Sequence, residues 1–156
     1  MKIQLQAQRE IAAPAMAAYL LCIDAKRFPS LFHGCGPISA IREVTLDAPL
    51  AIGSTRRIHN ADGSVLSERI TALDPPSRHA YVLSGFTAPF SWLVKLGEAD
   101  WRIANTETGA GITWNYTFTL SSPLAWPVCL PLLKIFMQGA MRRCLDAMAN
   151  TLEGKN

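Results

Sequence analysis

The side chain best placed to do chemistry in this chain is the carboxylate of Glu68. It lies in the segment Leu66-Ser67-Glu68-Arg69-Ile70, where apolar and polar residues alternate. Alternation with a period of two is typical of a half-buried strand, so Glu68 shares a face with Leu66 and Ile70. The two apolar residues indicate that this face points inward. A carboxylate inside or at the rim of an apolar interior either has its pKa raised by desolvation or takes a positive partner.

Arg56 is the candidate partner, because it shares a face with Ile58 on the strand predicted next to that of Glu68. The alternative is a cross-strand pair at the solvent rim, which contributes little to stability. Tyr81 and Tyr116 are the other side chains that could protonate or deprotonate a bound molecule. The sequence therefore predicts a polar group in the interior but does not decide between an anchor and a proton donor.

The usual acid–base residue is histidine, and none is expected on the inner face. His33, His59 and His79 are predicted near turns or on the outer face. The pair His33 and Cys35 could supply two metal ligands, but no matching pair follows and a structural zinc site needs four. No nucleophile–base pair and no Gly-rich phosphate loop is visible. We assign no catalytic residue, no metal site and no cofactor from the sequence.

Short strands followed by one long helix must position these groups. Within residues 53–120, alternation is interrupted about every ten residues by turn signals at 60–63, 74–77 and 107–111. Strands are predicted over about residues 3–11, 38–46, 53–59, 65–73, 79–85, 91–104 and 112–120, with helices over 14–23 and 25–32. Apolar residues at helical spacing predict a long helix over about 132–152. The expected fold is α+β, a curved antiparallel sheet of six to seven strands wrapped around that C-terminal helix.

Strand parity predicts which side chains line a cavity between the sheet and the helix. Trp114, Tyr116 and Phe118 share one face of the last strand, and this aromatic face must be the inner one. Val94 and Cys144 are further lining candidates. The predicted ligand-binding set is Arg56, Ile58, Leu66, Glu68, Ile70, Tyr81, Leu83, Trp92, Trp114, Tyr116, Phe118, Phe136 and Ala140. The alternative for the apolar members is a filled core without a cavity.

The composition points to an apolar partner. Of the 156 residues, 49% are hydrophobic and 17% are charged, where about 25% charged is usual in a soluble domain. The surplus predicts a large core, a cavity or an apolar patch. The net charge of +3 is small and its basic pairs are scattered, which argues against a nucleic-acid partner.

The four cysteines form no Cys-x-x-Cys pair, and the N-terminus lacks the apolar core of a signal peptide. We therefore expect reduced, mostly buried thiols and a cytoplasmic location.

The order of elements resembles the helix-grip fold of the START-like (SRPBCC) superfamily, in particular its polyketide cyclase/dehydrase-like and pathogenesis-related plant members. The matching segments are Gly53-Ser54-Thr55-Arg56, Ser67-Glu68-Arg69-Ile70 followed by Asp74-Pro75-Pro76, the strand of Tyr81, residues 109–114 and the closing helix at 145–153. The resemblance implies a single START-like ligand-binding domain over residues 1–156. In hormone-binding relatives the glutamate of the similar segment lines the pocket, which implies the same role for Glu68.

The resemblance implies binding of a small hydrophobic molecule, because relatives bind lipids, sterols, hormones, quinones or polyketides. An alternative is a polyketide cyclase/dehydrase-type enzyme that uses the Glu68 carboxylate.

A further alternative is a lipid or quinone carrier that touches a membrane. Residues 123–130, with Leu124 and Trp126, would supply the contact as a lid before the long helix. They could instead cap the cavity. The run at 123–136 is too short to span a bilayer. The oligomeric state stays open.

Overall fold

Seven antiparallel strands form one open sheet. They are β1 (Lys2–Ile11), β2 (Ile41–Leu46), β3 (Thr55–Asn60), β4 (Val65–Asp74), β5 (Arg78–Ser84), β6 (Val94–Thr106) and β7 (Gly109–Leu120), in the order β1-β7-β6-β5-β4-β3-β2. The computed structural model describes residues 1–154, so the last two residues of the predicted domain lie outside the described residues. Consecutive strands from β2 to β7 are neighbours, and β1 is the edge strand beside β7.

The α-helices precede or follow the run of strands from β2 to β7. Helix α1 (Ala15–Ile23) and a 3₁₀ turn (Phe28–Ser30) lie between β1 and β2. After β7 the chain turns once in 3₁₀ geometry (Pro123–Ala125) and continues as α2 (Trp126–Pro131), a π-helical segment (Leu132–Met137) and α3 (Gln138–Leu152). The helix-grip prediction, a seven-stranded antiparallel sheet with a long C-terminal helix, is confirmed.

The concave face of the sheet is built by strict alternation. In β7 every second residue from Ala110 to Leu120 is buried, and the threonines and Asn115 between them are half-buried. In β1, Ile3, Leu5 and Ala7 are buried opposite them, in register with β7. Because alternate side chains of a strand point to opposite faces, these apolar residues form the floor of the core.

The C-terminal helix begins earlier than the sequence predicted. The helical conformation is continuous over Pro123–Leu152, and this helix is long and apolar enough by length and composition to cross a membrane. Its last part, α3, packs against β1, as the core helix of a sheet protein does. The early start has a local cause, since Pro127 lies in the first turn of α2, where a missing N–H group is harmless.

Two other predicted elements are shorter than expected. The second helix is reduced to the 3₁₀ turn at Phe28–Ser30, whose first turn holds Pro29. The sixth strand begins at Val94, because residues 90–92 form a separate 3₁₀ turn. The later start of the sixth strand affects Trp92, which was expected to line the cavity.

Candidate functional site

A cavity of about 160 Å³ lies against the concave face of β3–β7. The segment between α1 and β2 covers it, with Phe28, Phe32 and Ile38 among its lining residues. The long helix contributes only Met137. The volume is smaller than the range of about 300–1,000 Å³ of drug-sized sites. It suits a molecule of one or two rings.

A buried ion pair forms part of the cavity wall. Arg56 and Glu68 face each other across β3 and β4 and are each 5% exposed. The Arg56 Nε donates to Glu68 Oε1 at 2.8 Å, and Nη2 donates to the same oxygen. Arg56 Nη1 donates to the Ile23 carbonyl oxygen at 3.1 Å, which ties the end of α1 to the pair. The second carboxylate oxygen, Oε2, takes part in neither bond.

The same wall holds a buried histidine. His79 is 1% exposed, and its Nε2 lies 3.5 Å from Arg56 Nη2. A guanidinium only donates, so Nε2 acts as the acceptor and the ring proton sits on Nδ1. Burial first, and the Arg56 charge second, lower the pKa of His79 to about 3. His79 is therefore neutral near neutral pH. Its buried Nδ1 makes no hydrogen bond of normal geometry among residues 1–154, although the nearby Ala72 backbone partly offsets the lowering of its pKa.

The carboxyl of Glu68 is pulled in two directions. Desolvation raises its pKa above the usual value, and the charge and hydrogen bonds of Arg56 act in the opposite direction. Two buried tyrosines lie close by. Desolvation raises the pKa of Tyr81 and of Tyr116, and the Glu68 charge adds to both shifts. Both phenols are therefore protonated near neutral pH and serve as hydrogen-bond donors.

Aromatic rings make up the rest of the wall. Trp101 and Trp114 stack across β6 and β7 with ring centroids 4.0 Å apart, and Tyr116 stacks on Phe118 at 4.5 Å. The Trp101 Nε1 group donates to the Tyr81 hydroxyl at 3.5 Å. Trp114 Nε1 is buried and has no hydrogen-bond partner among the described residues. Buried polar groups are normally paired, so the unpaired Trp114 donor is a group that a bound molecule could satisfy.

The structure brings most of the predicted site residues to this cavity. Of the predicted set, the lining residues are Arg56, Ile58, Leu66, Glu68, Tyr81, Leu83, Trp114, Tyr116 and Phe118. They come from four strands, β3, β4, β5 and β7, whose inward parity was read from the sequence.

The structure corrects the predicted position of Trp92. It was expected to face the cavity from a strand, but it lies in a 3₁₀ turn and is 72% exposed. Val94 is fully buried but does not line the cavity. A register shift between Val94 and Leu96 inverts the parity of β6, so Trp101 rather than an even-numbered residue reaches the cavity.

Four further candidates lie outside the cavity lining. Phe136 packs its ring against Gly36, where an added Cβ would lie 2.6 Å from Phe136 Cδ1. The π-helical segment shifts the helix register, so Met137 takes the position expected for Phe136. Ala140 and Ile70 are each 1% exposed and belong to the core, as does Cys144.

His79 is the residue whose role was missed. The expectation that it lies near a turn or on the outer face is wrong, because it is buried and lines the cavity. Its parity with Tyr81 and Leu83 on β5 was the available signal. Among the described residues, no group of three His, Cys, Asp or Glu side chains comes close enough to hold a metal ion.

A family model described as polyketide cyclase / dehydrase and lipid transport matches residues 2–153. The chain belongs to this family. It is thereby a member of the START-like superfamily, whose members bind small hydrophobic ligands. No curated protein sequence matches the chain.

Solved structures share the fold at low sequence identity. A protein from Mesorhizobium loti, MLL2253, has a TM-score of 0.73 and 12% identity, with 99% of both chains covered. Truncated norcoclaurine synthase from Thalictrum flavum has a TM-score of 0.75 and 13% identity, with 100% of this chain and 96% of that chain covered.

The di-domain ARO/CYC protein StfQ from the steffimycin biosynthetic pathway has a TM-score of 0.77 and 14% identity. The match covers 99% of this chain and 52% of StfQ, so this chain spans about half of that protein. At these identities the likeness concerns the fold alone.

Proposed function

We propose that this family member binds a small hydrophobic molecule with a polar end in the cavity beneath β3–β7. The observation that carries the proposal is the combination of stacked aromatic walls with one buried polar corner, formed by Arg56, Glu68 and His79. An apolar cavity with a few convergent polar groups is the usual form of a ligand site.

The polar corner indicates what the polar end must carry. Trp114 Nε1 is a buried donor without a partner among the described residues, so it favours an oxygen acceptor such as a carbonyl or phenol. Glu68 Oε2, which is outside the ion pair, favours a hydroxyl donor. A two-ring phenol or hydroxy-ketone meets both requirements, and the volume of about 160 Å³ suits that size.

The test is a binding titration with 2-naphthol and with naphthalene, followed by NMR shifts of the tryptophan indole protons. Naphthol should bind more tightly and should shift the Trp114 signal most.

A matched pair of variants locates the binding. Leu66→Phe places a larger ring in the cavity and should weaken binding, because Leu66 is a lining residue. Val65→Phe changes the neighbouring residue on the opposite face, which is 44% exposed, and should leave binding unchanged. Equal affinities in both variants, or no binding of either probe to the wild type, would refute the proposal. Native mass spectrometry of freshly purified protein then identifies the natural ligand.

A second candidate is an acid–base enzyme of the cyclase/dehydrase type. The observation that favours it is a carboxyl with a raised pKa beside the two protonated phenols on one cavity wall. Such an enzyme must remove a proton next to a carbonyl group. Exchange of the methylene protons of a small 1,3-diketone into heavy water, measured by NMR, tests this step. Catalysed exchange that disappears in Glu68→Gln supports an enzyme, and exchange at the uncatalysed rate excludes it.

A membrane-touching carrier is the third candidate function. It requires a lipid-facing surface in addition to the cavity, and the two features can be tested separately.

A further inference from the structure

Two chain segments expose five large apolar side chains. They are Trp92, Leu124, Trp126, Val128 and Ile135, with exposed fractions from 41% for Trp126 to 89% for Leu124. We call these five residues the apolar end surface. Single exposed apolar side chains are normal, but a group of them marks an interaction site.

Hydrogen bonds hold the two segments side by side. Ser121 donates from its backbone N to the Leu93 carbonyl oxygen at 2.9 Å and from its hydroxyl to the Ser91 carbonyl oxygen at 2.7 Å. The Cys129 thiol lies 3.6 Å from the same Leu93 oxygen. The turn that carries Trp92 therefore lies against the beginning of the long helix.

The outer face of this helix changes character along its length. In α3 it carries exposed charged residues such as Arg142, Arg143 and Asp146, as expected for a helix that faces water. In the first half the exposed side chains are mainly apolar, and Pro127 and Pro131 are exposed among them. Only 33% of the most apolar stretch of the helix is buried. Packing inside the protein therefore does not account for its apolar character.

The two segments that carry the surface contain charges of one sign. Residues 86–97 and 110–145 contain no Asp or Glu, but they contain Lys95, Lys134, Arg142 and Arg143. The Lys134 ammonium donates to the Gln4 carbonyl oxygen at 2.7 Å, and it forms no salt bridge with a carboxylate of residues 1–154. The first acidic residue after the turn, Glu98, lies 3.7 Å from the Lys2 ammonium.

We propose that the apolar end surface docks onto a bilayer that contains anionic lipid. Trp92 and Trp126 would lie at the level of the headgroups, the position that tryptophan favours. Leu124, Val128 and Ile135 would enter the acyl boundary, as the apolar face of an interfacial helix does. The lysines would meet the negative surface potential.

The charge pattern argues against a second copy of the chain as the occupant. A symmetric contact would bring two copies of the same cationic patch together, because both subunits use the same patch. Docking does not depend on the cavity, although Phe90 lines the cavity two residues from Trp92, so lipid would lie beside the cavity wall.

The test is flotation with vesicles of one part phosphatidylglycerol to three parts phosphatidylcholine. The wild-type protein should float with the vesicles. Leu124→Ser and Trp92→Ser should each lower the partition coefficient at least about fivefold, because each removes an apolar side chain that would leave water. Ile52→Ser is the matched control. Ile52 is 67% exposed and precedes Gly53, whose backbone N donates to the Ile70 carbonyl oxygen in β4. This control should float like the wild type.

Tryptophan fluorescence supplies a second readout. Trp101 and Trp114 are buried, so a blue shift on vesicle binding reports on Trp92 and Trp126. Trp126→Phe should still float but with a smaller shift. Circular dichroism checks that each variant is folded, as expected for changes at exposed side chains.

Three results would overturn the proposal. The first is a wild-type protein that does not float with the vesicles. The second is an equal loss of vesicle binding in Ile52→Ser and Leu124→Ser. The third is a wild-type partition coefficient as high in pure phosphatidylcholine as in the anionic vesicles. A concentration-dependent dimer that Leu124→Ser abolishes in sedimentation would assign the surface to a second copy instead.

Discussion

His79 should make the stability of this protein depend on pH in a window set by one buried ring. In the unfolded chain a histidine titrates near pH 6.5, and in the folded protein its pKa is lowered to about 3. Because the pKa is lowered in the folded state, the neutral ring contributes its full stabilisation at pH values above the pKa of the unfolded chain. This stabilisation is lost as the pH falls from about 6.5 to about 3, because only the unfolded chain then takes up the proton.

The size of the effect follows from the two pKa values. By linkage, the free energy of unfolding falls by about 2 kcal/mol between pH 8 and pH 5, and by about 3 kcal/mol at pH 4. The full shift of about 3.5 units corresponds to roughly 5 kcal/mol, since each unit is about 1.4 kcal/mol. This is a large share of the total stability of a domain of this size.

The assay is urea unfolding of the wild type and of His79→Gln at a series of pH values. Glutamine does not titrate, and its amide can still accept a hydrogen bond from Arg56. The raised pKa of Glu68 and the lowered pKa values of Asp24 and Asp62 act in both proteins and cancel in the difference.

The difference in free energy between wild type and variant should fall by about 1.4 kcal/mol per pH unit from about pH 6 to pH 4. A difference that stays constant from pH 8 to pH 4 would show that folded His79 takes up its proton as easily as the unfolded chain. The reasoning from burial and the Arg56 charge would then be wrong.

Three other predictions concern the cavity. Glu68→Gln should reduce the affinity for 2-naphthol by about 1.5–3 kcal/mol, the range for a bond to a charged group, and leave naphthalene binding nearly unchanged; isothermal titration checks this. Leu66→Phe should fill empty volume and keep or raise the melting temperature. Ile70→Phe, on the same face but in the packed core, should lower the free energy of unfolding by about 1–3 kcal/mol. A melting temperature that falls equally in both variants would show that the cavity has no usable space. Gly97→Ala should destabilise the protein by about 1–3 kcal/mol, because the added Cβ would lie 2.9 Å from Tyr116 Cε1; a variant of wild-type stability would show that the ring moves freely.

Regular strands made part of this site predictable. In β4 the alternation around Glu68 fixed its inward direction, and the apolar parity of β3 did the same for Arg56. The structure places the two residues directly opposite each other, as strand parity and order required. The aromatic face of β7 followed from the same rule, because a strand with one buried face tolerates no slip of register.

The residues that were misplaced lie where the backbone leaves regular geometry. The register shift in β6 and the π-helical segment each displace the facing pattern by one residue, and neither has a distinctive signature in the sequence. The cover of the cavity was missed for another reason. Phe28, Phe32 and Ile38 come from an irregular segment, where periodicity carries no information on direction.

The buried ion pair is better explained by a ligand than by stability. Removing two charges from water costs about as much as their attraction returns, and an apolar pair of similar volume often stabilises a protein as well. Arg56 also donates to the Ile23 carbonyl oxygen, and its Nη2 lies beside His79 Nε2. These contacts hold the polar corner rigid. The groups left over are one oxygen of Glu68 and the buried donor Nε1 of Trp114. Polar groups that are fixed in an apolar wall orient a bound polar group at little further cost in entropy. In the complex that we propose, the polar end of the ligand therefore lies at this corner, and its rings lie along the stacked aromatic residues of β6 and β7.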